Sequence, residues 1–191
     1  MKVVVAHYNE NISWLNNIGC NYIVYSKGSV DLMYSNTTLT NVGRDADTYL
    51  HHIIENYDCL DNTLIFLQGN PFDHCHDVLH KVNNITDQEI KWLCSNWGPV
   101  TKDYQGGPGS IPLPLLELCD KLFDLKFDQT KTFTFSPGAQ YVVPKKFILN
   151  KSLDWWKYCY SIFNDYIDTS PWAYERLWPI IWDYSTYVIK K

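Results

Sequence analysis

The sequence predicts one α/β domain, Rossmann-like, with a mostly parallel central sheet flanked by helices. Three observations predict it. Continuous apolar runs recur at Val3–Ala6, Tyr22–Tyr25 and Leu64–Leu67, each the length of a strand buried on both faces. A helical pattern lies between the second run and the third, and strand, helix, strand in that order implies parallel strands joined by a crossover helix. The chain has 191 residues, 46% hydrophobic and 19% charged, which fits one domain able to bury its own core.

Each element follows in order. Leu50, Ile53, Ile54 and Tyr57 fall at helical spacing, with Asn41 or Asp45 as the expected cap. Asp45 and Asp47 fall in the first turn, where negative charge suits the helix dipole. His51 and His52 lie mid-helix and are expected to point partly to solvent. After the third strand, Asp87–Cys94 reads as a short helix. Gly98–Pro114 carries four glycines and four prolines and is expected to be a loop: a lid, an acceptor loop or a solvated connector. Leu113–Phe123 reads as a helix. Thr132–Phe135 and Gln140–Val143 read as strands around the turn Ser136-Pro137-Gly138. Leu153–Ile167 is an amphipathic helix with Trp156, Tyr160, Phe163 and Ile167 in register. The last helix is expected to start with Ser170 as its N-cap and Pro171 at its first position, and to kink or end at Pro179. Residues 1–96 would form a nucleotide-binding half and 97–191 an acceptor-side half.

Composition narrows the function. Net charge is -5 and no long basic run exists, which argues against a nucleic-acid phosphate track. No stretch approaches the ~20 apolar residues of a membrane span. The six cysteines form no C-x-x-C pair, and no signal-peptide pattern opens the chain, so a cytoplasmic protein with buried free thiols is expected. Eight Trp and fourteen Tyr supply core, and also rings suited to flat or sugar-like ligands.

In open parallel sheets, ligands bind outside the carboxyl ends of the strands. That rule selects His7, Tyr8, Asn9 and Glu10 after the first strand, Lys27 after the second, and Gln68, Gly69 and Asn70 with Asp73 and His74 after the third. Asn41 to Asp45 leads into the intervening helix, where Arg44 could meet a phosphate bidentately. Plain structural roles remain open for each. Asn9 and Glu10 could cap a helix around Ile12–Leu15, Arg44 could be a surface charge, and Gln68 and Asn70 could be turn residues. The run His74-Cys75-His76-Asp77 has ligand-type residues but not the spacing of known zinc sites.

The opening Val3 to Glu10, with its Tyr8-Asn9-Glu10 tip, resembles the first strand and tip of family-2-like glycosyltransferases of the GT-A fold. Asn41-Val42-Gly43-Arg44-Asp45, a helix and Leu64–Leu67 resemble the segment leading those enzymes to their metal motif. The whole chain also resembles a family of uncharacterised domains, on Tyr8-Asn9-Glu10, Asn41 to Asp45, Phe66-Leu67-Gln68-Gly69, Pro71-Phe72-Asp73-His74, Pro137-Gly138-Ala139-Gln140 and Glu175-Arg176-Leu177-Trp178. The resemblance implies a glycosyltransferase that moves a hexose from a nucleotide sugar, UDP favoured, to a hydroxyl on a glycan or protein.

On that resemblance Ala6 to Glu10 and Arg44 face the nucleotide, Lys27, Gln68, Gly69 and Asn70 the diphosphate, and Gly138 and Gln140 the sugar and acceptor. Glu175 is the first candidate for the catalytic carboxylate and Asp73 the second. One departure stands out: the D-x-D motif that holds a divalent cation reads Gln68-Gly69-Asn70 here. Two neutral amides bind Mn²⁺ or Mg²⁺ more weakly than two carboxylates. If a metal is used, Asp73 and His74 are the candidates. The alternatives are a non-catalytic nucleotide-sugar or glycan-binding protein, and a metal-dependent hydrolase built on Asp73 to Asp77. A homodimer through exposed aromatic ends is a possible partner arrangement.

Overall fold

The computed structural model describes residues 1–28, 33–34, 36–86, 89–94, 98–100, 112–123, 133–135 and 137–183. The expected Gly/Pro loop therefore lies outside the described residues for its central part, 101–111. Its first residues, Gly98–Val100, form strand β6, which pairs antiparallel with β7, Phe133–Phe135.

The main sheet has six strands among the described residues. They are β1 (Lys2–His7), β2 (Asn21–Ser26), β3 (Asn36–Thr38), β4 (Thr63–Gln68), β5 (Lys91–Trp92) and β8 (Tyr141–Pro144), in the order β3-β2-β1-β4-β8-β5. β1 is the pivot. It pairs parallel with β2 on one side, Val4 opposite Ile23, and parallel with β4 on the other, Val4 opposite Phe66. β8 runs antiparallel to β4, so the sheet is mixed α/β and mostly parallel. The five expected strands are present as β1, β2, β4, β7 and β8 (Tyr141–Pro144). The three-residue β3 carries too short a β-branched run to register in the sequence.

Residue alternation along β1 and β4 splits the core in two. Val4, Leu64 and Phe66 face one layer with Tyr49, Trp156, Trp178 and Trp182. Val3, Val5, Ile65 and Leu67 face the other, with Trp14, Leu15, Val78 and Val82. The first layer holds α1 (Arg44–Glu55), α3 (Leu115–Phe123), α5 (Leu153–Asp165) and α6 (Ser170–Trp182). The second holds α2 (Val78–Asn83) and a single 3₁₀ turn, Ser13–Asn17. The short α4, Lys145–Leu149, follows β8.

Several expectations change. The described end of Asp87–Cys94 is strand β5, because Lys91 and Trp92 pair with Val142 and Tyr141; tertiary pairing overrides a weak helical pattern. Residues 87–88 lie outside the described residues. Neither Asn41 nor Asp45 caps α1. Gly43 does, at φ +65°, with no side-chain cap. Ser170 is helical, after Thr169 as N-cap; its hydroxyl instead donates to the Phe163 carbonyl at 2.7 Å. α6 runs through Pro179 to Trp182. A proline removes one helix hydrogen bond, but Leu177, Trp178, Ile180, Ile181 and Trp182 are all fully buried, and that burial holds the last turn. His52 is 1% exposed rather than solvent-facing. Cys59 is exposed, Cys20 intermediate and the other four cysteines buried; all six are free. No described helix is long and apolar enough to cross a membrane.

Candidate functional site

β1, β2 and β4 end on one edge of the sheet, and the strand order reverses at β1, the switch point at which such sheets place ligands. A cleft of about 590 Å³ opens there, within the range of small-molecule sites. The β1 tip supplies Ala6, His7, Tyr8 and Glu10; the β2 tip supplies Lys27; the entry to α1 supplies Asn41, Arg44 and Asp45. Gln68, Asn70, Asp73 and His74 come from the β4 tip and the 3₁₀ turn after it, and α6 contributes Trp172 and Glu175. Asn9, Gly69, Gly138 and Gln140 do not line the cleft. They act behind it.

The β1 tip is fixed by its own side chains. The His7 ring bridges Ser26 Oγ (3.0 Å) and the Glu10 carbonyl (3.1 Å). The Glu10 carboxylate accepts from the Tyr8 and Asn9 backbone N–H groups, so neither Asn9 nor Glu10 caps the 3₁₀ turn; Asn11 Oδ1 accepts the Ser13 N–H there. Gly69 is small because Glu10 lies against it: a Cβ would sit 2.4 Å from Glu10 Oε2.

Lys27 departs from its expected role. Its ammonium donates to the Val42 and Arg44 carbonyls and to Asp47 Oδ2 at 2.6 Å. An ammonium has three donors, so none is left for a diphosphate. Burial pushes its pKa down, with Asp47 opposing. Asp47 also accepts from the Tyr160 hydroxyl, so the first-turn aspartate is a buried anchor rather than a dipole-facing charge. Drawing two carbonyls inward leaves Gly43 and Arg44 both left-handed, Arg44 at φ +53°. Such a φ is strained for a residue with a Cβ. It carries the exposed Arg44 side chain over the Trp172 ring, 5.8 Å from guanidinium carbon to centroid.

Two of the four carboxylates that line the cleft have their pKa raised. Asp45 accepts from Gln68 Nε2 (2.9 Å) and the Ala46 N–H (2.8 Å). Burial pushes its carboxyl up, against Gln68, Arg44 and Lys27. Glu175 accepts from the Gly138 N–H at 2.6 Å and from Arg176 Nη1 at 3.0 Å. Burial also raises the Glu175 carboxyl, and the Asp45 charge adds to it. Gly138 stands at φ +83°, and a Cβ there would lie 2.4 Å from the His74 ring. Only glycine fits both demands. Gln140 Nε2 donates to the Pro71 carbonyl, which ties β8 to the loop carrying Asp73 and His74.

The donor set does not suit a dedicated divalent cation. The Gln68 and Asn70 amide N–H groups donate to Asp45 Oδ2 and Asp73 Oδ1, and their neutral amide oxygens are weaker ligands for a hard cation than carboxylates. Among the described residues no group of three or more His, Cys, Asp or Glu is placed to hold a metal. The run Asp73 to Asp77 disperses: Asp73 and His74 line the cleft, His76 is exposed, and Asp77 pairs with Lys81 at 3.0 Å.

Trp172 was not among the expected site residues. Its signal was available: it lies three positions before Glu175, hence on the same helix face.

Residues 3–96, just under half of the chain, match a family model described as "Protein of unknown function (DUF3431)". The match takes in the strand tips and the entry to α1, and stops before Gly138 and Glu175. No curated protein and no solved structure matches the chain.

Proposed function

We propose that the cleft is a nucleotide-sugar site and that the protein is a glycosyltransferase, moving a hexose from a nucleoside diphosphate to an acceptor hydroxyl. UDP is the favoured nucleotide, and a glycan or protein the acceptor. One observation carries the reading. At the switch point, a guanidinium with no ion pair or hydrogen bond to a described residue (Arg44) shares a cleft with a carboxylate of raised pKa (Glu175).

The roles follow from chemistry. Arg44 meets the diphosphate, whose charge grows as the bond to the sugar breaks. Glu175 takes the proton of the acceptor hydroxyl as its oxygen bonds to the anomeric carbon, and the diphosphate leaves with the electron pair. A carboxylate of raised pKa is a stronger base than an ordinary one and works closer to neutral pH. The Gly138 N–H and Arg176 fix its orientation. Asp73, paired with Asn70, is the second candidate base. No step is routed through a metal, because the donor set at Gln68-Gly69-Asn70 does not fit one.

A thermal-shift screen against UDP, GDP and their common sugars, each with and without Mn²⁺, tests the reading. A ligand at a hundred times its Kd adds about 2.7 kcal/mol of stability. A shift with one nucleotide family, turnover in wild type and none in Glu175→Gln that still binds, is the expected result. Binding without turnover in wild type would favour the non-catalytic alternative, to which the amides at positions 68 and 70 also point. A shift with metal alone and none with any nucleotide would refute the nucleotide-sugar reading.

A further inference from the structure

We propose that Trp172 is the platform for the transferred sugar, its indole face taking the apolar C–H face of the hexose ring. This rests on the nucleotide-sugar reading and adds a residue to it.

The argument is one of position. Trp172 sits beside Arg44, with the guanidinium carbon 5.8 Å from its ring centroid. It also precedes Glu175 by three residues on α6, one helical turn away on the same face. In the proposed reaction Arg44 holds the diphosphate and Glu175 accepts the acceptor's proton. The hexose is bonded to the first and attacked beside the second, so it must lie between them. Trp172 lines the same cleft, 5.8 Å from the Arg44 guanidinium and one turn before Glu175.

The ring is not there for the core. Trp178 and Trp182, on the same helix, are fully buried and stack at 4.5 Å, whereas Trp172 stays half-buried at the cleft wall. Its backbone is held: Pro171 precedes it, and its carbonyl accepts from Arg176 Nη1 at 2.6 Å. Arg44 covers part of its face, and the guanidinium donates no hydrogen bond to a described residue, so a ligand can draw it away to a phosphate. Elsewhere the wall is mostly polar or charged: His7, Glu10, Asp45, Gln68, Asp73 and Glu175. A hexose, polar at its rim and apolar on one face, matches a wall with flat aromatic surfaces at Trp172 and Tyr8, of which Trp172 is the one beside Arg44 and on the helix of Glu175.

The experiment is a calorimetric titration of wild type, Trp172→Ala and Trp172→Phe with UDP-glucose, UDP-galactose and GDP-mannose, each beside its free diphosphate. Wild type is expected to bind one nucleotide sugar more tightly than the matching diphosphate. Trp172→Ala should weaken that sugar nucleotide by roughly tenfold and leave the diphosphate unchanged, while Trp172→Phe keeps most of the difference. Melting curves of both variants confirm that each is folded. If wild type binds the sugar nucleotide and Trp172→Ala binds it equally well, the platform is refuted. Equal weakening of the diphosphate also overturns it, since Trp172 would then act through Arg44. Wild type binding none of the five ligands would refute the underlying nucleotide-sugar reading instead.

Discussion

His52 makes the stability of α1, and so of the cleft entry it carries, depend on pH in a calculable way. Burial lowers its pKa from 6.5 to about 4, and the Tyr25 hydroxyl contacts Nδ1 at 2.9 Å. Unfolding releases the ring to water, where it protonates near 6.5. Between those values the unfolded chain binds the extra proton, so stability is lost as pH falls from about 6.5 toward 4. At 1.36 kcal/mol per pKa unit the full loss is about 3 kcal/mol. That corresponds to roughly 6–12 °C in Tm for a domain of this size. Because burial raises the carboxyls of Asp45 and Glu175, which contribute to the pH dependence with the opposite sign, the quantity to read is a difference. Urea unfolding of wild type and His52→Gln, at pH 7.0, 6.0, 5.0 and 4.5, supplies it. The glutamine carbonyl can still accept from Tyr25, but the side chain takes up no proton on unfolding. Wild type should lose about 2.4 kcal/mol relative to the variant over that interval, most of the full amount. A gap that stays constant with pH would refute the linkage.

Asp45→Asn should raise the melting temperature at pH 7 to 8. A carboxyl whose pKa is raised by folding loses stability as pH rises through its folded value, so the gain should vanish below about pH 4, where the acid is protonated in both states; a gain that persists there would count against the burial cost. Gly138→Ala should cost about 2 kcal/mol or more, from the left-handed φ and the collision with His74. In a transferase assay it should cost more activity than stability, because the Gly138 N–H orients Glu175; unchanged activity with unchanged melting would refute the role given to that turn.

Much of this layout was legible in the residues. Apolar runs of strand length marked β1, β2 and β4, and the rule that ligands sit at strand carboxyl ends gathered His7, Tyr8, Glu10, Gln68 and Asp73 before any coordinates. What escaped was set by tertiary partners. Lys27 looks like a phosphate ligand until its three donors are traced to Val42, Arg44 and Asp47, which lie 15 to 20 positions away. His52 looks like a surface residue until Tyr25, 27 positions earlier, is seen against it. β5 looks helical because its pairing with β8 depends on residues some 50 positions on. Trp172 carries a signal in its spacing, three positions before Glu175, but only the fold shows that its ring faces the cleft while Trp178 and Trp182 are buried.

The ends of the sheet bear on how copies of the protein meet. Among the described residues its two outermost strands, β3 and β5, are the shortest in it, three and two residues long. A sheet edge offers a second chain its unsatisfied N–H and C=O groups, and the length of that row sets how strongly a foreign strand can dock. Rows this short give edge-to-edge addition little to hold. The fold thereby protects its long apolar strands, β1 and β4, from templating fibrils, since each is flanked by neighbours on both sides.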